Sequence, residues 1–274
     1  MISRLREVRS ALFLPASKAG AIAKARTLGA DLVILDLEDS VREEGKALAR
    51  GAAVEAARIG FGSALVAIRV NGSDHEHYEA DCAAVRGSAA GLAILPKASS
   101  PDQIGLFAND VAKPVLAMVE TPGAVLQCAQ LAAAPGVAGL IAGTNDLAAE
   151  LGVRHGGGRA ALVTSLQLIV LAARAARIAA FDGVFNAIDD VAGFEAEAEQ
   201  GRAFGFDGKA LIHPSQVEPA NCIFAPSAAE IEESLAIVAV AGGGAERFRG
   251  RMIEAMHVSE ARRSLARAHR GRRC

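Results

Sequence analysis

Short apolar runs alternate with longer stretches of helical periodicity along most of the chain. The runs are Ser10–Leu14, Leu32–Leu35, Leu65–Val70, Leu92–Leu95, Val115–Val119, Val137–Ala142, Ala179–Val184 and Lys209–Ile212. Their β-branched content and Gly/Pro boundaries suit strands buried on both faces of a parallel sheet. Between them, Lys18–Leu28, Glu43–Arg58, Arg159–Arg177 and Asp190–Phe204 carry Ala, Leu, Arg and Glu at helical spacing, and Gly123–Ala134 has the length of a crossover helix. Strict strand–helix alternation predicts a parallel sheet, and eight such units within 274 residues predict an α/β fold closed into a (β/α)8 barrel over residues 1–225. An open doubly wound sheet is the competing architecture. The lack of a GxGxxG after the first strand counts against its dinucleotide-binding version. Residues 226–274 form a C-terminal helical extension: Pro226–Val240 reads as an amphipathic helix opened by a Pro-Ser cap, then an Ala241–Ala245 glycine hinge, then a tail rich in arginine from Arg247 to Arg273. A solvated helix and an arm reaching a neighbouring subunit are both open readings of that tail.

Charges fall at the ends of these runs. The second ends in Asp36-Leu-Glu38-Asp39, the third in Arg69-Val-Asn71, the fourth in Pro96-Lys97, the fifth in Glu120, and Asp146 follows the sixth. Asp182, Asn186 and Asp189 sit at or beyond the seventh, and His213-Pro-Ser-Gln216 beyond the eighth. Ligands bind at the carboxyl ends of such strands, and ionisable groups are costly to place there without a use. Glu120 and Asp146, on neighbouring strands, can share one hard cation. The alternatives are a helix cap at Asp146 and buried ion pairs such as Lys97 with Glu120. His213 reads as structural, and without a Cys/His set the rim does not suggest zinc.

Composition narrows the function. Apolar residues make up 51% of the chain, which excludes disorder throughout. A net charge of −2, 4% aromatics and no tryptophan argue against nucleic-acid partners. Cys82, Cys128, Cys222 and Cys274 form no CxxC pair, which favours reduced thiols and a cytoplasmic location. The apolar run after the basic N-terminus is too short for a signal core, and no stretch approaches a membrane span.

The motifs RSALFLPAS, DLVILDLEDSV, IRVNG, ILPKA, MVETPGAV, IAGTNDLAAELG, FDGVFNAIDD, GFDGKALIHPSQV and GRMIEAMHV follow one another in order. Together they resemble the citrate lyase β-subunit family, which includes malyl-CoA, methylmalyl-CoA and citramalyl-CoA lyases within the HpcH/HpaI aldolase group. The resemblance covers roughly residues 9–260. It implies a TIM barrel that uses Mg²⁺ to cleave a carbon–carbon bond in a 3-hydroxyacyl-CoA thioester, giving a 2-oxo acid and acetyl-CoA or a homologue. It assigns Glu120 and Asp146 as metal ligands, with Glu120 also touching substrate, Arg69 as the residue holding the substrate carbonyl or carboxylate, and Glu38 and Asp39 as acids behind the metal's waters. Mg²⁺ prefers oxygen ligands and keeps several waters, so two carboxylates plus a chelating substrate suit it. Arg9, Lys18 and Lys97 are electrostatic candidates for the CoA moiety, and a homotrimer or homohexamer is implied.

Two departures stand out. The family's Met-Ile-Asp, whose Asp reaches a neighbouring subunit's site as acid/base, is Met252-Ile253-Glu254 here, and LFVPG is LFLPA. A displacement of about 1 Å can cost on the order of a hundredfold in rate. Three functions therefore compete: a free-standing acyl-CoA lyase, a thioesterase on a similar acyl-CoA, and a non-catalytic acyl-CoA-binding paralogue. The size of the 2-oxo acid is not fixed by these residues, because a hydrophobic pocket discriminates small substituents only modestly.

Overall fold

The apolar runs become strands of four to six residues, with helices on their outer side. The computed structural model describes residues 2–154, 158–242 and 244–270. In chain order the elements are α1 (Ile2–Leu5), β1 (Ser10–Pro15), α2 (Ala19–Ala25), β2 (Leu32–Asp36), α3 (Lys46–Ile59), β3 (Leu65–Arg69), α4 (Tyr78–Gly87) and β4 (Leu92–Leu95). There follow α5 (Pro101–Val111), β5 (Val115–Val119), α6 (Pro122–Leu126), α7 (Cys128–Ala132), β6 (Val137–Ala142), α8 (Thr144–Glu150), α9 (Val163–Ala175), β7 (Ala179–Asp182), α10 (Val191–Phe204) and β8 (Gly208–Leu211). Strands β1 to β8 pair in sequence order, all parallel, and β8 returns to β1 to close the barrel. This is the expected (β/α)8 TIM-barrel architecture. The seventh and eighth strands are shorter or shifted relative to the runs read from sequence. The expected helix over 123–134 is divided into α6 and α7 at Gln127.

Alternate residues of each strand point inward and fill the barrel. Leu32 and Ile34, Ala67, Leu92 and Ile94, Leu116 and Met118, and Phe181 share one buried cluster. Between β5 and β6 the register shifts after Val115, so Ala138 and Ile141 both reach this cluster although they are three positions apart. A bulge produces that break in alternation. Closure is tight: a Cβ on Gly208 would overlap the carbonyl oxygens of Val8 and Arg9.

Side chains pointing outward from β7 and β8 are not all apolar. Asp182 receives two bonds from Arg159, at 2.7 and 2.9 Å, and one from Lys209 Nζ at 3.0 Å. Lys209, fully buried, also donates to Gly183 O and to Glu197 of α10. Burial opposes ionisation of Asp182, but Lys209 and Arg159 override it and hold its carboxyl below the usual range. Asp182, read from sequence as part of the charged rim, is instead the centre of a structural ion network. His213 is structural too, capping the turn before α11 (Val217–Ile223) through Ser215.

The chain separates into two compact units, residues 1–220 and 221–274. The second contains α12 (Ala228–Val240), a hairpin of β9 (Glu246–Phe248) and β10 (Arg251–Ile253), and α13 (Ala255–Arg270). Ser227 and Glu230 cap α12 reciprocally. Ile237, Phe248, Ile253 and Ala261 form this unit's own small core. Arg249 and Gly250, both at positive φ, make the two-residue hairpin turn. Arg249 and Arg251 pair with Glu233, so two arginines of the expected basic tail are structural. Gly243 of the hinge and Arg272 and Arg273 lie outside the described residues. Cys82 and Cys128 are buried free thiols, and Cys274 lies outside the described residues. No described helix is long and apolar enough to cross a membrane.

Candidate active site

Asp36 and Arg69 are the last residues of adjacent strands and stand opposite each other in the β2–β3 register. Arg69 Nε and Nη2 donate to the two Asp36 oxygens at 2.6 and 2.8 Å. Asp36 also accepts from the backbone N–H groups of Glu38 and Ser40 and from the Ser40 hydroxyl. One buried carboxylate thus aims the guanidinium and curls the loop bearing Glu38 and Asp39. Burial opposes ionisation of Asp36, but Arg69 outweighs it and its carboxyl is held low. The third nitrogen, Nη1, lies 2.7 Å from Glu38 Oε2 and 3.5 Å from Asp39, with Met118 Sδ at 3.8 Å. Glu38 Oε2 is buried without an aligned hydrogen bond, so its contact with Arg69 is an ion pair only. The Arg69 guanidinium also rests on the Phe13 ring, 5.1 Å from its centroid.

A cavity of about 370 Å³ opens at this end of the barrel. Phe13, Met118 and Ile141 line its apolar part, and Arg69, Glu120 and Asp146 its polar part. That volume is within the range of small-molecule sites. Glu120 follows β5, and Asp146 is the third residue of α8. The cap position of α8 is Gly143, so Asp146 is not the helix cap that its sequence context allowed. The backbone N–H of Lys97 donates to Glu120 Oε1, and Lys97 Nζ lies 3.7 Å from Glu38 Oε1. The buried side-chain pair between Lys97 and Glu120 considered from sequence is therefore absent; a main-chain bond takes its place.

Five carboxylates (Asp36, Glu38, Asp39, Glu120 and Asp146) face two cations here, Arg69 and Lys97. Glu38 is pushed up to about 8, first by burial, against which Arg69 acts, with Asp39, Glu120 and Asp36 adding to the rise. Glu120 is also raised, mainly by burial and further by the like charge of Asp146. For Lys97 burial acts against the charge, but Glu38, Asp39, Asp146 and Glu120 together hold its pKa above the ordinary value. The excess negative charge and the Glu120–Asp146 repulsion fit a divalent cation bound by oxygen. Among the described residues no three His, Cys, Asp or Glu side chains make a complete cage. An ion held by Glu120 and Asp146 would keep positions for water and substrate.

The structure brings together Arg69, Glu38, Asp39, Lys97, Glu120 and Asp146. Arg9 does not join them. It precedes β1 at the opposite end of the barrel, is buried, and is bound to Asp31 at 2.8 and 3.0 Å, so a substrate role for Arg9 is corrected. Lys18 is exposed at the start of α2, beyond the cavity lining. Glu254 belongs to the second unit, exposed at the start of α13, its N–H donating to His257 Nδ1. Two features escaped the sequence reading. One is Asp36 as the anchor of Arg69, which strand pairing of the two run ends would have revealed. The other is a reciprocal amide pair between Asn145 and Asn186, at 2.7 and 3.3 Å, on the cavity lining.

Residues 9–214 match the profile of the HpcH/HpaI aldolase/citrate lyase family. A (3S)-malyl-CoA thioesterase of Cereibacter sphaeroides is 42% identical over 268 residues, covering 95% of this chain and 94% of the relative. The citrate lyase subunit beta of Leuconostoc mesenteroides subsp. cremoris is 30% identical over 277 residues, 94% of this chain and 92% of that one. Among solved structures, the protein CitE from Mycobacterium tuberculosis in complex with magnesium, acetoacetate and coenzyme A superposes with a TM-score of 0.81 at 33% identity, covering 97% of this chain and 100% of that one.

Proposed function

Because the chain belongs to the HpcH/HpaI aldolase/citrate lyase family, we propose that it hydrolyses a malyl-type CoA thioester in a Mg²⁺-dependent reaction, releasing a hydroxy acid and free CoA. The observation that carries this reading is the convergence of Glu120, Asp146 and the Asp36-locked Arg69 on one cavity. Similarity to relatives named malyl-CoA thioesterases, over nearly the whole chain, favours hydrolysis as the outcome. Glu120 and Asp146 would hold Mg²⁺, which when bound supplies a Lewis acid and an anchor for the acyl group's hydroxyl and carboxylate.

The chain's own groups supply the rest. Arg69 Nη1, the nitrogen not committed to Asp36, donates to the thioester carbonyl oxygen, where negative charge grows as water adds to the acyl carbon. Asp39, exposed beside the same nitrogen, takes the proton from the incoming water. As the C–S bond breaks, Glu38 in its protonated form gives the departing sulfur a proton. Lys97, at the mouth, neutralises part of the carboxylate cluster and offers a charge to the anionic acyl-CoA substrate.

The second reading is carbon–carbon cleavage, favoured by the similarity to a citrate lyase subunit beta. There the substrate hydroxyl loses its proton, the adjacent C–C bond breaks to a 2-oxo acid and an acyl-CoA enolate, and an acid, Glu254 in the family's arrangement, protonates the enolate carbon. One assay separates the two. Malyl-CoA is incubated with the protein and Mg²⁺, and free thiol and 2-oxo acid are measured in the same sample. Hydrolysis predicts one thiol per substrate consumed and no 2-oxo acid; stoichiometric 2-oxo acid without thiol would overturn it in favour of the lyase.

A further inference from the structure

Three features of the site act on the Glu120 side chain, and none of them is itself a ligand. The first is the Lys97 N–H bond to Oε1. The second is the backbone that aims it: Lys97 has φ +48°, a left-handed conformation that a lysine adopts only under constraint. The third lies across the carboxylate, where Gly143 Cα faces Glu120 so closely that an added Cβ would overlap both Glu120 Cβ and Oε2. Gly143 has no positive φ, so the glycine is required by this close approach and not by its own backbone angle.

We propose that Lys97 and Gly143 are positioning residues that clamp Glu120 into a single orientation, capping Oε1 from the β4 loop and backing Oε2 from the β6 loop, so that the carboxylate meets a divalent cation without reorganising. The inference rests on the reading of Glu120 as a metal ligand. The clamp explains why a strained lysine and an unsubstituted Cα sit on opposite sides of one side chain. A ligand carboxylate fixed by outer contacts binds its ion more tightly than a mobile one, and loss of such contacts typically weakens binding about 10–100-fold.

The test is Mn²⁺ affinity of the full-length protein, read by electron paramagnetic resonance of free ion, alongside the melting temperature of chelator-treated protein. Wild type binds and Glu120→Gln does not; absence of binding to wild type, or unchanged binding by Glu120→Gln, overturns the metal reading and the clamp with it. Gly143→Ala displaces the carboxylate and weakens Mn²⁺ about 10–100-fold. Lys97→Gly and Lys97→Gln both remove the side-chain charge, but only glycine relieves the backbone. Lys97→Gly is expected to melt higher than Lys97→Gln in the metal-free state while binding Mn²⁺ several-fold more weakly. A merely structural role would raise the melting temperature and leave affinity equal between those two variants. If wild type binds, Glu120→Gln does not, and both the glycine and alanine variants bind as tightly as their controls, the metal reading stands and the clamp is wrong. The lysine pair keeps the test decisive should Gly143→Ala fail to fold.

Discussion

At the scale of single residues, the site depends on one guanidinium being held by two of its nitrogens and left to work with the third. Arg69→Lys keeps the charge but not the fork, since an ammonium cannot bond both Asp36 oxygens while presenting a donor to the cavity. Steady-state kinetics should show a loss of about 10²–10³ in kcat, the usual effect of removing one preorganised donor. Glu38 sets a pH dependence. Its carboxyl, ordinarily near 4.5, is pushed to about 8 in the fold, so the folded state binds that proton more tightly than the unfolded chain. The stabilisation is complete below the ordinary value and is lost as pH rises through about 8. Asp36 and Asp182, held low, act oppositely and only in acid. Urea unfolding of chelator-treated protein should therefore show lower stability at pH 9 than at pH 6, and Glu38→Gln should flatten that difference. Arg69, Glu38, Glu120 and Asp146 were all visible in the sequence, because each closes or follows an apolar run. Asp36 was visible too, but its task was not: the bond to Arg69 depends on β2–β3 register, which no single run contains. Arg9 misled for the complementary reason. A run's start and end carry charges of opposite fate, and Arg9 stands at a start.

At the scale of elements, the same barrel shows what charged residues do when they are not near the cavity. Asp182 and Lys209 point outward from β7 and β8 and bind Arg159 and α10 Glu197. Asp182→Ala would leave the fully buried Lys209 short of a partner. Chemical denaturation should show a loss of about 3–5 kcal/mol, with KM little changed. In the sequence Asp182 looked like another rim acid, since it lies in the carboxyl-terminal half of its run, and like Asp36 it proves to be the last residue of its strand. Only the inside–outside alternation of β7, with Phe181 inward, separates the two. The β5–β6 bulge was illegible for a related reason: an all-apolar run carries no alternation to break. The strands themselves were legible because parallel strands covered by helices on one side and core on the other must be apolar throughout.

At the scale of the whole molecule, a barrel unit and a smaller unit of helices and a hairpin each have a core of their own. The sequence resemblance implies a trimer or its double in which the C-terminal unit serves a neighbouring subunit, and we carry that forward as a proposal. For the carbon–carbon cleavage reading it predicts complementation: an inactive Glu120→Ala protein and an inactive Glu254→Ala protein, mixed under conditions that exchange subunits, should recover part of that cleavage activity. No recovery, with exchange verified by mass, would place Glu254 outside the reaction. The shared site of Glu120, Asp146 and Arg69 is tested by a crystal structure grown with Mn²⁺ and a non-hydrolysable malyl-CoA analogue, with anomalous scattering used to locate the metal. One ion is expected, bound by a Glu120 oxygen and an Asp146 oxygen at about 2.0–2.2 Å, with an acyl oxygen of the analogue on Arg69 Nη1. An ion bound elsewhere, or an analogue seated with Glu120 and Asp146 both left to water, would contradict it.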